Sequence, residues 1–418
     1  MGSGMTDTTS PARQPHVLLV NIYYAPHSYG GATRVAEAVS RCLVSEHGLR
    51  VSVISAMCRP EVGPYAVLKC HSQGIDNYMI NMPPGRSYEE MYHNPQVMTR
   101  LRTLVEDLEP DIVHLHCLQE IGAGTIGMLK DLGLPVVLSV HDFWWLCERQ
   151  FMLRPDGHYC GQDPVRIAAC QGCVADMGRA RGRFEFLKRQ AARADRITFP
   201  SRFALELHQR SGLGQENGLV WENGVHLPGP DFFQAQARRR AADRRLAFGF
   251  VGGPSPLKGW PVIRAAFERI GRTDFTGYLV EGSLNESWWR DQNISRMQGE
   301  WHIYPRYDSS TIDDFYARID VLLFLSQWKE TFGLTVREAL ARGIRVIQTD
   351  SGGTTEHDGP DKHRMLRIGD GPDKLLPLLE DLLNTPHDHP APVPVASFGQ
   401  QAAGFLEIIR PLLAGRKG

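Results

Sequence analysis

The sequence predicts an α/β protein with two halves, each built on a sheet of parallel strands. Short β-branched apolar runs alternate with helical patterns, and a second series of such runs begins after residue 245. Because the runs lack polar alternation, they are typical of strands buried on both faces of a parallel sheet, and strand–helix alternation indicates an open α/β sheet. The predicted strands lie within residues 16–24, 50–55, 111–116, 135–140, 196–201, 246–253, 276–282, 320–326 and 344–350.

The two halves are separated by a turn-rich and then charged stretch. The chain has 418 residues, which is enough for two or three domains. We expect a Rossmann-like N-terminal domain at 15–222, a linker at 223–245 and a Rossmann-like C-terminal domain at 246–395. Residues 396–418 have helical spacing, and we expect that helix to pack back on the first half.

Composition excludes several classes of protein. The hydrophobic fraction of 42% and the charged fraction of 22% are those of a globular chain. A net charge of -1 lacks the basic footprint of a nucleic-acid binder, so we expect no nucleic-acid partner. We find neither an apolar run of membrane-helix length nor the apolar core of a signal peptide. The prediction is a cytoplasmic protein, and scattered cysteines read as reduced thiols agree with it: Cys42, Cys58, Cys70 and Cys117.

The most informative segment is SQWKETFGLTVREALARG, in which Glu330 and Glu338 stand eight positions apart. A strand precedes it and a helix is predicted to begin near Gly333, so that the helix N-terminus suits a diphosphate. Glu338 lies in the early turns, where its carboxylate can accept hydrogen bonds from vicinal hydroxyls such as those of a ribose. Glu330 is expected to face the group on the other side of the phosphate. Taken alone, two acids at this spacing are more often solvated surface residues.

Three other positions follow predicted strands. Lys258 comes after a strand and a Pro-rich loop, where an ammonium can meet a diphosphate. His141 stands at the carboxyl end of a strand, where open α/β sheets bind ligands, although a satisfied polar group is an equal alternative. Gly30 and Gly31 lie between a strand and a helix, where they form either a tight turn or a close approach to a phosphate or sugar.

In this setting the chain resembles the retaining family-4 glycosyltransferases, which have the GT-B fold and a Glu-x7-Glu signature. The resemblance runs from about residue 16 to the C-terminus. It implies two Rossmann-like domains that face one another across a cleft. Further landmarks stand in the family's order: YGGATRVAEAVS (29–40), PDIVHLH (110–116), VHDFWWLC (140–147), ADRITFPS (194–201), ENGV (222–225), VGGPSPLKGW (251–260) and TDSGGTTE (349–356).

The resemblance implies transfer of a sugar from a nucleoside-diphosphate sugar, with UDP or GDP preferred, to a hydroxyl acceptor. That acceptor is a saccharide, a lipid-linked glycan or a small molecule. Retention of the anomeric configuration is implied, with no metal or other cofactor for catalysis. The implied catalytic residues are His141, Lys258 and Glu330. The implied donor contacts are Gly30, Gly31, Gly253, Lys258, Phe332, Gly333, Leu334 and Glu338.

One departure from the family affects the diphosphate contacts. The family commonly carries an Arg directly after the strand-end glycine, whereas this chain has Gly252-Gly253-Pro254. Phosphate contacts are then expected from Lys258 and backbone amides. Two alternatives remain: a nucleotide-sugar epimerase or hydrolase of the same fold, and a catalytically silent subunit that binds a carbohydrate or nucleotide. The missing Arg is consistent with the silent subunit, and the intact set of polar residues argues against it.

The loop 147–173 contains four further cysteines, namely Cys147, Cys160, Cys170 and Cys173. The last two have the spacing of a zinc knuckle, and four thiolates satisfy a closed tetrahedral site. Since the loop lacks an obvious apolar core, a bound metal ion is expected to hold it in a folded conformation. Structural zinc is the preferred prediction, and disulfides, free thiols and an iron–sulfur centre are the alternatives.

For the basic clusters and the tryptophan pairs, the sequence allows both a structural role and a role in ligand binding. Two basic clusters read as solvated helix faces, with peripheral contact to anionic lipid headgroups as the alternative. For the tryptophan pairs 144–145 and 288–289, two roles are expected as alternatives: stacking on sugars and packing in the core. The basic clusters comprise Arg179–Arg183 with Lys188, Arg189 and Arg193, and Arg238–Arg240 with Arg244 and Arg245.

Overall fold

The computed structural model of the chain describes residues 14–283, 286–385 and 389–415. These residues divide into two compact units. The first comprises the chain up to Ser139, Arg189–Ile197 and the part from Ala402 onward, and the second comprises Val140–Lys188 and Thr198–Gln401. Parallel strands alternate with helices in this structure, which confirms the predicted α/β class.

The first sheet contains, in the described ranges, eight strands in the spatial order β3-β4-β2-β1-β5-β6-β7-β8. They are β1 His16–Val20, β2 Arg50–Met57, β3 Val67–Ser72, β4 Ile75–Asn81, β5 Ile112–Leu115, β6 Val136–Ser139, β7 Arg196–Phe199 and β8 Gly218–Val220. The helices of this part of the chain are α1 Gly30–Ser45, α2 Pro95–Leu108, α3 Gly124–Asp131, α4 Met177–Ala191 and α5 Arg202–Arg210.

Three strands of this sheet, β3, β4 and β8, were not predicted from the sequence. β3 pairs antiparallel with β4, and β4 pairs parallel with β2. β3 forms an edge of the sheet, and its residues are exposed or only partly buried. An edge strand needs no continuous apolar run, because one of its sides has no neighbouring strand and its faces are not both covered. The pattern used for the buried strands therefore does not detect it.

The second sheet has the order β11-β10-β9-β12-β13 among the described residues, with every pair parallel. Its strands are β9 Leu246–Phe250, β10 Phe275–Val280, β11 Glu300–Tyr304, β12 Val321–Phe324 and β13 Arg345–Gln348. The remaining helices are α6 Phe232–Ala242, α7 Trp260–Arg269, α8 Ile312–Tyr316, α9 Leu334–Leu340, α10 Pro372–Asn384 and α11 Phe398–Ala414.

Both faces of the second sheet are buried. Successive residues of β12 alternate between two apolar clusters, since Val321 and Leu323 belong to one and Leu322 to the other. The first cluster includes residues of α7 and α10, and the second includes residues of α6, α8 and α9. Because each face needs apolar side chains, the strand reads as a continuous apolar run, as the sequence predicted.

The stretch predicted to be a linker contains a helix, α6. Two arginines of α6, in one of the basic clusters read as solvated, contact the buried carboxylate of Asp320. Arg239 donates to both oxygens at 3.0 and 2.7 Å, and Arg240 donates to Oδ1 at 2.9 Å. Burial alone would raise the pKa of Asp320, but the two guanidinium groups outweigh it and lower that pKa. The prediction of a solvated face is wrong for these two residues, because their partner lies some 80 positions away in the chain.

The C-terminal helix α11 forms where the sequence predicted it. From Ala402 onward its residues belong to the first compact unit. There the ring of Phe405 stacks on His114 of β5, with centroids 4.2 Å apart. Packing of the last helix on the first half is therefore observed within that unit.

Across the described ranges, every helix is too short or too polar to cross a bilayer.

We expect Asp320→Ala to lower the free energy of unfolding by about 3 kcal/mol, because it leaves two partly buried guanidinium groups without their carboxylate. Urea unfolding followed by circular dichroism measures the change. The matched control is Asp243→Ala, which breaks an exposed pair with Arg245 and should cost less than about 1 kcal/mol. Equal losses in the two variants would contradict the structural role of Asp320.

Candidate functional site

An ion pair joins two of the predicted site residues. Lys258 ends a short turn of helix after β9, and its Nζ lies 2.6 Å from Oε1 of Glu330. The same Oε1 accepts a hydrogen bond from the hydroxyl of Ser326 at 2.9 Å. The Lys258 side chain is about one-third exposed, at 34%, and its ammonium lies 5.5 Å from the ring centre of Trp328. A partly open cation is thus held at the carboxyl ends of two parallel strands, where such sheets bind ligands.

Glu330 is fixed by its own backbone as well as by its carboxylate. Its N–H donates to the carbonyl of Ser351 at 3.0 Å, and its carbonyl accepts from the N–H of Gly353 at 2.9 Å. At Gly353 a Cβ would stand 2.1 Å from the carbonyl oxygen of Thr331, so only glycine permits this approach. The segments 326–343 and 349–356, which the sequence singled out separately, are therefore joined by backbone hydrogen bonds.

Arg337, on α9, binds the second of these segments. Its guanidinium is buried and donates to the carbonyls of Thr354 at 2.7 Å, Gly353 at 2.9 Å and Glu356 at 2.9 Å. It also lies over the ring of Phe332, 4.7 Å from the centroid. Burial lowers the pKa of Arg337 to about 10, so it stays charged at neutral pH. The sequence did not indicate this residue, because a single Arg within a helix pattern looks like surface.

His141 is brought next to Glu330 through the backbone. The hydroxyl of Thr331 donates to the carbonyl of His141 at 2.6 Å. The carbonyl of Thr331 in turn accepts from the hydroxyl of Ser201 at 2.6 Å. Burial lowers the pKa of His141 to about 4, so its imidazole is neutral at pH 7. Three segments that are distant in the chain therefore meet at Thr331, which the sequence analysis did not select.

Glu338 occupies the interior of the second unit. It is 1% exposed, and its Oε2 accepts a hydrogen bond from the Tyr316 hydroxyl at 3.3 Å. Burial, with contributions from nearby Tyr307 and Glu338, raises the pKa of Tyr316, so the phenol is a donor at neutral pH. A solvated surface position for this acid is therefore not what the structure contains.

The residues between the two acids begin α9. Gly333 has φ of +87° and precedes the first helical residue, Leu334. A Cβ at Gly333 would stand 2.6 Å from Cγ2 of Thr354, so both the backbone angle and the space require glycine. Phe332 is buried beneath Arg337. The predicted helix start near Gly333 thus agrees with the structure, although α9 itself has only seven residues.

Trp288 covers the strand-end glycines of the second unit. A Cβ at Gly253 would be 2.7 Å from the Trp288 ring, and one at Gly282 would be 2.1 Å from it. Trp288 is still 46% exposed, whereas its neighbour Trp289 is buried and donates to the carbonyl of Val280. The two members of this tryptophan pair therefore differ in role, since one packs in the core and the other lies on the glycine-containing loops.

Gly30 and Gly31 lie in the first unit, at the start of α1. Gly30 has φ of +81°, and a Cβ there would meet no atom within 4 Å. The preceding residue, Tyr29, makes no side-chain cap to the helix. Both glycines are exposed, so backbone at this helix start is accessible. The need for glycine at position 30 is conformational and not a matter of space.

The four cysteines of loop 147–173 line one cavity of about 570 Å³ in the second unit. Their thiols are free, and the described residues contain no group of three or more His, Cys, Asp or Glu side chains already placed to hold a metal ion. Burial raises the pKa of Cys147 to about 11 and also raises that of Cys170. The thiols of these two residues are therefore protonated at neutral pH.

The cysteine loop also contacts the surroundings of Lys258. The ring of Phe151 meets Trp328 edge-on, with centroids 4.9 Å apart. Phe143, two residues after His141, contacts the same tryptophan at 6.5 Å. Trp328 is the third residue of the site that the sequence did not indicate, after Arg337 and Thr331, although it lies within the segment SQWKETFGLTVREALARG.

Part of the other basic cluster is buried as well. Arg183 of α4 donates to the carbonyl of Trp144 at 2.7 Å and lies 4.8 Å from the centre of that indole ring. Trp145 is also buried. For Arg183 the prediction of a solvated face is wrong, because an adjacent aromatic residue and a carbonyl shield the guanidinium.

Comparison with known families matches both parts of the chain. The model of Glycosyltransferase Family 4 matches residues 29–228. The model of Glycosyl transferases group 1 matches residues 234–391, which include Lys258, Glu330 and Glu338.

Similar proteins with curated descriptions are mannosyltransferases. The chain is 26% identical over 308 residues to a GDP-mannose-dependent alpha-mannosyltransferase of Mycolicibacterium smegmatis, covering 72% of this chain and 73% of that protein. It is 24% identical over 296 residues to a protein of the same description from Mycobacterium tuberculosis, covering 70% and 69%.

Solved structures share the whole fold. Sucrose-phosphate synthase of Thermosynechococcus elongatus superposes with a TM-score of 0.64 at 15% identity, covering 96% of this chain and all of that one. Anabaena HepE, solved in complex with UDP and glucose, superposes with a TM-score of 0.58 at 16% identity, covering 96% and 98%. These neighbours are GT-B glycosyltransferases, so the predicted GT-B fold is confirmed.

We expect His141 to make the protein less stable in mild acid. The pKa of His141 in the folded chain is about 4, whereas an unfolded histidine takes up a proton near pH 6.5. Below pH 6.5 the unfolded state binds more protons, so the free energy of unfolding falls as the pH decreases toward 4. His141→Gln should recover up to about 2 kcal/mol of that loss at pH 5, measured by urea unfolding at pH 7 and pH 5.

The control for this measurement is His158→Gln, since that ring is exposed. It should leave the pH dependence of stability as it is in the parent. His208 and His357, whose pKa values burial also lowers to about 4, should contribute to the acid sensitivity that remains. A His141→Gln protein with the full acid sensitivity of the parent would disprove the assignment.

Proposed function

Since this chain is a GT-B glycosyltransferase of the family 4 type that transfers a sugar from a nucleotide sugar, we propose that it is a retaining hexosyltransferase that uses no metal ion for catalysis. The observation that carries the proposal is the contact of 2.6 Å between Lys258 and Glu330, beside the backbone of His141. A nucleoside-diphosphate sugar is the donor, and a hydroxyl group is the acceptor.

Lys258 stabilises the leaving diphosphate. An ammonium has three N–H donors, so Lys258 can keep its bond to Glu330 and still donate to phosphate oxygens. The negative charge on the diphosphate grows as the bond to the sugar breaks, and a fixed cation stabilises that state more than the ground state. Backbone N–H groups at Phe332, Gly333 and Leu334 are the proposed further donors. This charge compensation is the reason that a divalent cation is not required.

Glu330 and His141 orient the transferred sugar. Both observed bonds to the Glu330 carboxylate go to Oε1, so Oε2 can accept from a sugar hydroxyl. A neutral imidazole at His141 donates or accepts a hydrogen bond without adding charge. Glu338 is proposed to bind the ribose hydroxyls, with Tyr316 holding its carboxylate from the interior.

Retention is supported by the weakness of the available bases. Inverting transfer needs a general base with a pKa near the working pH, and a His141 with a pKa of about 4 is a poor one. The carboxylate of Glu330 is already bonded to Lys258 and to the Ser326 hydroxyl through Oε1. In the proposed step the bond from C1 to the phosphate oxygen breaks while the acceptor oxygen bonds to C1 on the same face. The acceptor proton passes to the departing diphosphate.

The first candidate donor is GDP-mannose. Two similar proteins are described as GDP-mannose-dependent, and each alignment covers at least 70% of this chain. HepE, with its bound UDP and glucose, makes UDP-glucose the second candidate. In the first unit, Gly30 and Gly31 are proposed to contact the donor diphosphate and the nearby acceptor through accessible backbone.

A donor screen followed by product analysis tests this function. Among GDP, UDP and ADP, we expect GDP to raise the melting temperature most, because GDP-mannose is the first candidate donor. A nucleotide at 100 times its Kd adds about 2.7 kcal/mol to the free energy of unfolding. Incubation with GDP-mannose and acceptor glycans or lipids should then yield an α-linked product, identified by NMR, at a rate that added Mg²⁺ or Mn²⁺ does not raise. A β-linked product would refute retention, and sugar release without any acceptor would favour the hydrolase.

Lys258→Ala should lower kcat/KM. The corresponding loss of transition-state stabilisation should be about 2.7 to 4 kcal/mol, which is typical of removing one hydrogen-bond donor to the transition state. The loss should fall on kcat as well as on donor affinity, since the contact strengthens as the leaving group departs. Glu330→Gln should lower kcat more than it raises KM, and Glu338→Ala should mainly raise KM. Steady-state kinetics on the purified enzyme measures all three effects.

The control for the lysine is Lys374→Ala, because Lys374 is exposed on α10, outside the segments that form the site. It should retain the parent's kcat and KM. An unchanged kcat/KM in Lys258→Ala would refute the proposed role of the ammonium.

A further inference from the structure

The cysteine loop has a folded backbone but very little core. Of the residues from Cys147 to Cys173, only Met152, Leu153 and Val165 are buried. Ordering one residue costs about 1–2 kcal/mol of conformational entropy, and burying one such side chain returns about 1.5–3 kcal/mol. Three buried side chains fall far short of ordering a loop of this length. A cross-link among its cysteines would supply what the core lacks.

The backbone presents the cysteines as metal-binding turns do. The N–H groups of Cys173 and Val174 both donate to the carbonyl of Cys170, at 2.9 and 3.2 Å, which closes a tight turn around Gly172. Gly172 has φ of +77°, a conformation that favours glycine. Two cysteines separated by such a turn have the spacing of a zinc knuckle.

The other two cysteines are connected to this turn. A small hairpin ties Cys160 to the chain just after Cys147, because the N–H of Cys160 donates to the carbonyl of Met152 at 2.8 Å. The thiol of Cys173 lies 4.0 Å from the carbonyl of Leu153 in the same hairpin. All four cysteines line one cavity. Four soft ligands from three local structures therefore line one space, although no three of them are already placed as a metal-binding group.

We propose that Cys147, Cys160, Cys170 and Cys173 bind one structural zinc ion, and that this ion holds Phe151 against Trp328 at the donor site. Four thiolates form the closed tetrahedral set that zinc prefers, with Zn–S distances of about 2.3 Å. Since the four side chains are not yet placed as a metal-binding group around their cavity of about 570 Å³, the proposal requires the loop to close around the ion. The thiols lose their protons to solvent as the metal enters.

The contact of Phe151 connects this metal to the donor site. Phe151 lies four residues after Cys147 and meets Trp328 with ring centroids 4.9 Å apart. Trp328 lies under the ammonium of Lys258 at 5.5 Å. When zinc tightens the loop, it fixes the position of Phe151. Phe151 in turn fixes the ring of Trp328, which lies beside the ammonium of Lys258. This positioning role rests on the proposed function, whereas the metal site itself does not.

Metal analysis of the full chain tests the site. Freshly purified protein, or protein given Zn²⁺ alone under reducing conditions and then desalted, should contain close to one zinc per chain. Each of Cys147→Ser, Cys160→Ser, Cys170→Ser and Cys173→Ser should reduce the zinc content at least tenfold. Cys42→Ser and Cys58→Ser are matched controls outside the loop and should keep it. Absence of bound zinc, iron in its place, or disulfides among the four cysteines by mass spectrometry would overturn the proposal.

A second variant separates the metal from its positioning role. Phe151→Ala leaves all four cysteines in place, so it should keep one zinc while weakening binding of the donor nucleotide several-fold by calorimetry. Limited proteolysis of the parent should show faster cleavage between Arg154 and His158 once zinc is removed, since these residues are exposed. Unchanged nucleotide binding in Phe151→Ala would overturn the positioning role alone. Failure to find glycosyl transfer would leave the zinc content as expected and would count against the proposed function.

Discussion

A buried cation, the guanidinium of Arg337, is the interaction on which the candidate site depends. Among the described residues no carboxylate lies at hydrogen-bond distance from it, and it instead binds three carbonyls of residues 353–356 while lying over Phe332. Since Gly353 is bonded to the backbone of Glu330, the cation fixes the position of the acid that holds Lys258. The charged groups of the candidate site are thus supported by a charge that is only 2% exposed. A buried group of this kind is costly to disturb, because its carbonyl partners would lose their donors together.

The sequence was sufficient for most of the buried framework, although not for β4, whose segment IDNYMIN includes polar residues. Continuous apolar runs identify β1, β9 and β12 because each of these strands has both faces covered. The start of the helix after Gly333 could be predicted from the glycine that precedes its first residue. Periodicity carries no such information about β3, an edge strand with exposed residues, or about α6, whose arginines bind a carboxylate some 80 positions away. Contacts between distant segments are a property of the fold, and one sequence does not contain their distances.

The same limit explains the site. Lys258 and Glu330 were chosen for their places after strands, and they are in contact. Thr331 and Arg337 were missed because their importance lies in carbonyls supplied by other segments. In the sequence, Gly253 indicated the loss of an Arg that the family commonly carries. In the structure the ring of Trp288 lies so close to Gly253 that a side chain at this position would displace the tryptophan. An apparent deletion of charge is thus also a requirement of packing.

The compact units and the family matches divide the chain at different places. The match to Glycosyltransferase Family 4 ends at residue 228, yet His141 and the cysteine loop belong to the same compact unit as Glu330. Recombination between relatives near residue 230 would therefore exchange the carbonyl that Thr331 binds and the phenylalanine that Trp328 meets. Gene fragments inherited as whole halves must keep these pairs complementary. A joint at Ser139–Val140, where the chain first passes from one compact unit to the other, keeps both pairs within one parent.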